Sequence, residues 1–218
     1  MDAREPTTRC DFELAHDQLI QTLENSPGRK QPIVPSNPGL LLIDPQRIFC
    51  DSRSPAYCHG WSTAAGNALA LCALFFELGR PVAVTRHLQD GNGISNRFLP
   101  RPIRRDDPLS ELIPEITSIF PEKTVVEKDR FNALAGPEVL SRFLDCAELI
   151  LIGVQTHRCV LATALAAADS GFVPVVVSDA CAAPTFADHR RALSVLAAGH
   201  AAVRTTGEII AICRELQR

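Results

Sequence analysis

The sequence has no long apolar run, no cluster of basic residues and no paired-cysteine motif, and each absence removes a class of function. No segment approaches the roughly 20 apolar residues needed to span a bilayer. The opening MDAREPTTRCDFELAH carries charges where a secretory leader needs an apolar stretch, so a soluble, cytoplasmic protein is expected. The formal charge of -3 comes without a basic stripe. Neither a nucleic acid nor an anionic membrane is then an expected partner, and a small-molecule substrate is. The eight cysteines lack CxxC or CxxxxH spacing, and several lie inside apolar runs where cysteine acts as a small hydrophobe, so neither a zinc site nor a disulfide framework is expected. A reducing compartment keeps such thiols free, as a cysteine nucleophile requires. Also missing is a G-x-G-x-x-G phosphate cradle. DPQRIF follows the first apolar run instead, and GNG at 91–93 is a lone glycine pair, so no nucleotide cofactor is expected.

What is present is a chain of 218 residues, 46% apolar, long enough to bury one substantial core. Short β-type apolar runs occur at 39–43, 81–85, 124–128, 149–154, 173–178 and 201–205. Between them, 62–78, 158–169, 187–198 and 207–216 have helical period or composition. Strands apolar on both faces and separated by helices predict an α/β fold of three layers, a Rossmann-like six-stranded parallel sheet with helices on both faces. Residues 11–25 suit a short helix that the prolines and glycines of 26–39 end, so 1–38 is read as an arm and linker and 39–218 as the domain. The stretch 86–122 is polar, holds five prolines and has little periodicity, as substrate-binding segments or lids often do.

Ligands of an open parallel sheet bind beyond the carboxyl ends of its strands. The residues there are Asp44, Arg86 and His87, Lys128, the Val154–Cys159 turn and Asp179. An acid, a base and a thiol converge on one edge. Cys159 lies where a buried strand turns into an alanine-rich helix, and unpaired N–H groups at a helix start favour thiolate and can hold an oxyanion, so an acidic thiol is expected. Asp44 alone is equally a turn former or a working group, and Lys128 alone reads sooner as a solvated strand end than as a working group.

Four blocks decide between these readings. LLLIDPQRIF at 40–49, VVEKDRFNAL at 125–134, GVQTHRCVLATA at 153–164 and VVVSDACAA at 175–183 occur in order and at workable spacing. They resemble the isochorismatase-like cysteine hydrolases, whose pattern is a strand ending in D-x-Q-x-x-F, a strand-end lysine, and a G-V-x-T-x-x-C-V-x-x-T-A turn followed by D-A. The resemblance spans roughly 39–206. It implies a triad of Asp44, Lys128 and Cys159, a cis peptide between Val154 and Gln155, and an oxyanion hole from the N–H groups of Gln155 and Cys159. It also implies assembly as a homo-oligomer, a dimer or tetramer.

The chain departs from the nicotinamidases of that family, which hold a metal through an aspartate and two histidines after the second strand. Here TRHLQDGNG offers His87 alone, so no metal is expected. DPQRIFCDSRSPAY resembles the carbamoylsarcosine amidase side. The reaction expected is hydrolysis of a small amide or N-carbamoyl group through a thioester. The alternatives are vinyl ether cleavage of the isochorismatase type and a non-catalytic binding domain on the same scaffold. Arg47, Phe49, Trp61, Arg86, His87 and Phe131 are the candidate substrate contacts, with the arginines pairing a carboxylate.

Overall fold

A computed structural model describes residues 5–33, 36–89 and 102–215. The strands are β1 (Gly39–Ile43), β2 (Val82–His87), β3 (Val125–Lys128), β4 (Glu148–Val154), β5 (Val173–Ala182) and β6 (Ala202–Arg204). The helices are α1 (Arg9–Leu23), α2 (Pro27–Lys30), α3 (Arg47–Cys50), α4 (Trp61–Glu77), α5 (Pro114–Ile119), α6 (Pro137–Leu140), α7 (Leu161–Asp169), α8 (Phe186–Ala197) and α9 (Thr206–Glu215). All six expected strands are present. β2 runs two residues further than its apolar run and β5 four, because the residues that follow still have a parallel neighbour to bond.

The sheet is wholly parallel in the order β3-β2-β1-β4-β5-β6. The order reverses between β1 and β4, where the connections leave in opposite directions, and open parallel sheets bind their ligands beyond the carboxyl ends of the strands at such a point. Every residue of β1 and β4 is buried. Side chains alternate across the pleat: Leu40, Leu42 and Val84 join α4, α5 and α9 in one apolar cluster, whereas Leu41, Ile43 and Ala83 join α1, α6, α7 and α8 in the other. Helices therefore cover both faces, which explains why the strands read as continuous apolar runs.

The described parts of 1–38 lie against this core. Leu19 and Leu23 of α1 are buried in the second cluster, and Arg29 after the start of α2 donates to the Val203 carbonyl at 2.9 Å. The Glu5 carboxylate accepts from the N–H groups of Phe186 and Ala187 at 2.7 and 3.1 Å, satisfying two orphan donors at the start of α8. Residues 90–101 of the expected 86–122 segment lie outside the described residues. The rest of it carries Pro108–Ser110 as a 3-10 turn and α5, so DPLSELIPEI is structured. Among the described residues no helix is long and apolar enough to cross a membrane.

Candidate active site

Directly after β1 comes Asp44, a fully buried residue with φ of 51°. That left-handed conformation is uncommon outside glycine, and aspartate is among the side chains that tolerate it best. The turn aims the carboxylate at β2. Thr85 Oγ1 donates to Asp44 Oδ1 at 2.7 Å and accepts the Asp44 N–H at 3.1 Å. Asp44 Oδ2 has no aligned hydrogen-bond donor, and its 2.7 Å contact with Lys128 Nζ is an ion pair.

Lys128 is the last residue of β3 and its side chain is only 7% exposed. Besides Asp44, Nζ reaches the Arg130 carbonyl at 2.8 Å, His87 Nδ1 at 3.0 Å and Cys159 Sγ at 3.5 Å. Burial pulls the lysine pKa down, but Asp44 and then Cys159 outweigh it and the pKa ends raised, so the ammonium is kept. Asp44, His87 and Cys159 bring donor atoms within 4.8 Å of one another, the spacing of a metal site. Lys128 Nζ touches all three, so the ammonium stands where an ion would have to sit, and the set does not fit a metal.

Cys159 follows β4 in a π-type turn, Thr156–Val160, that leads into α7. The Val154–Gln155 peptide is cis. Gly153, at φ of 112°, is pressed so close to β1 that a Cβ there would meet the Ile43 carbonyl oxygen at 2.3 Å. Only glycine fits. The motif threonines are also spoken for. Thr156 Oγ1 and His189 Nδ1 are 2.9 Å apart, and Thr163 Oγ1 donates to the Cys159 carbonyl at 2.6 Å while accepting the Ala133 N–H at 3.0 Å.

The expected acidity of Cys159 is corrected. Burial pushes the thiol up to about 12; Lys128 opposes this and Asp44 adds to it. The thiol is 5% exposed, and desolvation of the anion beside a carboxylate outweighs what the turn and the ammonium contribute. Its environment therefore favours the neutral SH over the thiolate.

The candidate contacts divide. His87 belongs to the centre: fully sequestered at 1% exposure, its ring lies 6.1 Å from that of Phe131. Burial, then Lys128, lowers its pKa to about 4, so it is a neutral acceptor toward the ammonium. Its Nε2 is 3.3 Å from Gln89 Nε2. Arg86 does not reach the centre, because successive strand residues face opposite ways. It turns to Ser110 Oγ and to Glu111 at 2.9 and 2.7 Å. Arg47 is exposed at the start of α3, and its charge is felt by Asp51. Phe49 and Trp61 are buried in the apolar cluster of the α4 face and serve packing. Gln155 is buried beside the nucleophile turn.

Sequence reasoning passed over Thr85 and Gln46. Gln46 donates to the carbonyls of His87 and Ser110 at 2.9 and 2.8 Å and accepts the His87 N–H at 2.8 Å, tying the end of β2 to the segment at 110. The signal was the glutamine of D-x-Q-x-x-F itself.

Residues 38–208 match the isochorismatase domain family. The uncharacterized isochorismatase family protein YddQ of Bacillus subtilis is 30% identical over 150 residues, covering 67% of this chain and 78% of that protein. Among solved structures, nicotinamidase/pyrazinamidase PncA from Bacillus subtilis superposes with a TM-score of 0.69 at 26% identity, covering 77% of this chain and 99% of that one. A cysteine hydrolase from Pseudomonas syringae pv. phaseolicola has a TM-score of 0.71 at 21% identity, covering 85% and 99%, a likeness of fold.

Proposed function

The chain belongs to the isochorismatase family, and we propose that within it this protein is a metal-independent cysteine amidohydrolase that cleaves a small amide or N-carbamoyl compound. The observation that carries this reading is Asp44 Oδ2, a buried carboxylate oxygen with no aligned donor, held by the Lys128 ammonium that also touches the Cys159 sulfur. It is a proton acceptor placed beside a nucleophile that starts out protonated.

In the proposed reaction Asp44 Oδ2 takes the Cys159 proton as sulfur attacks the carbonyl carbon. The new S–C bond and the oxyanion form together, and the N–H groups of Gln155 and Cys159 hold the oxygen. Lys128 keeps its proton throughout and balances whichever neighbour carries the negative charge. Collapse expels the amine, which leaves with the proton held by Asp44. Water, deprotonated by the same carboxylate, then hydrolyses the thioester and restores the thiol. A primary amide yields a carboxylate and ammonia. That the structural neighbour PncA is named a nicotinamidase/pyrazinamidase supports an amide as substrate.

The test is ammonia release from nicotinamide, pyrazinamide, N-carbamoyl amino acids and ureides, with Cys159→Ala and Asp44→Asn as controls. Turnover lost in both variants, with a thioester trapped by hydroxylamine in the wild type, supports the reading. Ammonia release that survives Cys159→Ala but not Asp44→Asn sinks the nucleophile and leaves direct attack on the amide by a water that Asp44 deprotonates.

A further inference from the structure

A second cavity, of about 190 Å³, lies between α1 and the carboxyl end of β5, and the proposed chemistry makes no use of it. Four rings line it, Phe12 and His16 from α1 and Phe186 and His189 from α8. They form a continuous wall. Phe12 meets Phe186 edge to face with centroids 6.2 Å apart, Phe186 is 5.9 Å from His189, and His189 is 6.4 Å from His16.

The charged part of the lining is one cation, Arg9, and three carboxylates, Glu13, Asp17 and Asp179. Glu13 is paired with Arg9 at 2.8 Å, whereas Asp17 and Asp179 make no ion pair among the described residues. The Asp179 carboxylate accepts from the N–H and hydroxyl of Thr206 at 2.7 and 2.8 Å through one oxygen, which fixes its direction. Neither histidine supplies positive charge near neutrality, because burial lowers the pKa of both, His189 to about 3.

Several buried polar atoms of this lining have no partner. His16 Nε2 and Thr63 Oγ1 are sequestered without a hydrogen bond. His189, 6% exposed, pairs Nδ1 with Thr156, and its Nε2 bonds nothing among the described residues. An unmet buried polar atom costs about 1–3 kcal/mol. His16 Nε2 and Thr63 Oγ1 are closed off even from the cavity, so the acceptors left to a guest are the carboxylates of Asp17 and Asp179 and the second ring nitrogen of His189.

We propose that this cavity binds a small organic cation: a primary ammonium on an apolar body, with Phe12, Phe186 and the histidine rings around the body and Asp17, Asp179 and His189 Nε2 receiving its N–H groups. Rings facing a cation attract it through their quadrupoles, and carboxylates at the rim add Coulomb attraction. A cavity of this size takes a molecule of roughly six to eight non-hydrogen atoms. The guest would sit across the Gln155–Thr156 turn from Cys159, and its site is independent of the acyl chemistry proposed above.

Benzylammonium is a probe of the right size, with benzyl alcohol and benzoate as its neutral and anionic counterparts. Each is titrated into the full chain, labelled at histidine Cε1 and carrying Cys159→Ala so that the thiol takes no part. Benzylammonium is expected to give saturable shifts at His16 and His189, with benzyl alcohol at least about tenfold weaker and benzoate without effect. Asp17→Asn, an exposed position outside the core, is expected to weaken benzylammonium several-fold. The proposal is overturned if the three probes bind alike, if the shifts at His16 and His189 do not saturate, or if Asp17→Asn leaves the affinity unchanged.

Discussion

Thr85 and Asp44 exchange two hydrogen bonds, the threonine hydroxyl giving its proton to Oδ1 and receiving the Asp44 N–H. One small side chain thereby satisfies the buried backbone at the end of β1 and fixes which carboxylate oxygen is left for Lys128 and the thiol. Thr85→Val keeps the shape and removes both bonds. It should cost about 1–3 kcal/mol in urea unfolding. It should also lower kcat well beyond any change in KM, because the carboxylate loses its orientation while the rest of the site is intact. A variant as unstable as expected but fully active would remove Thr85 from the positioning of Asp44.

The charge state of Cys159 has a spectroscopic signature. With its pKa pushed up to about 12, the sulfur stays protonated across the working range and ionises only on the alkaline side. The thiolate absorbance near 240 nm of wild type minus Cys159→Ala should show no step between about pH 5 and 9. A step inside that window would mean a thiolate standing ready, and would transfer the proton-accepting role of Asp44 from the first step to a later one.

His87 ties acid stability to the same centre. Its folded pKa is about 4 against an ordinary 6.5, so the unfolded chain binds this proton more readily. Its contribution is present above about pH 6.5 and is lost as pH falls toward 4. His87→Gln should flatten that slope of stability against pH. His189, held at about 3 by burial, adds a slope of the same sign, so the share of His87 is the difference between wild type and variant. The same substitution should lower kcat, because the ammonium loses an acceptor at 3.0 Å and shifts relative to Asp44.

Arg86 gives the opposite expectation. Its partners are Glu111 at 2.7 Å and Glu127 at 3.7 Å, both half exposed, and it faces away from Cys159. Arg86→Met should change kcat/KM by less than about twofold and stability by about 1 kcal/mol or less, as partly solvated ion pairs generally do. A large loss of substrate binding would return Arg86 to the site.

These contrasts show which parts of the site a sequence can disclose. Asp44, Lys128 and Cys159 stand at the ends of apolar runs, where the rule that ligands gather beyond parallel strands put them among the candidates, and the family motifs singled them out. The parity of β2 was harder. Thr85, Arg86 and His87 are consecutive, the true strand end was two residues beyond the apolar run, and only the pleat decides that 85 and 87 face the centre while 86 does not. The acidity of Cys159 was misjudged for a different reason: the turn was legible, but full desolvation beside a carboxylate depends on distant strands closing over the thiol. The seating of α1 was illegible too, since nothing in its periodicity says that Phe12 and His16 meet rings from α8 some 170 residues away.

Gly153 connects fold and chemistry most directly. It sits two residues before Gln155 at φ of 112°, with the Ile43 backbone where a side chain would begin. An alanine there must change its backbone conformation and also push β1 away from β4, and Ile43 is the residue immediately before Asp44. Gly153→Ala should therefore destabilise by more than about 2 kcal/mol, since strain at positive φ and overpacking in a core act together. If enough folded protein remains, its activity should fall further than stability alone explains, because the Gln155 N–H and the Asp44 carboxylate are displaced from each other along the seam they share. Comparing kcat at a temperature where both proteins are fully folded separates the two effects. A folded Gly153→Ala with unchanged kcat would show that the seam tolerates widening and that the turn is positioned by α7 and Thr163 instead.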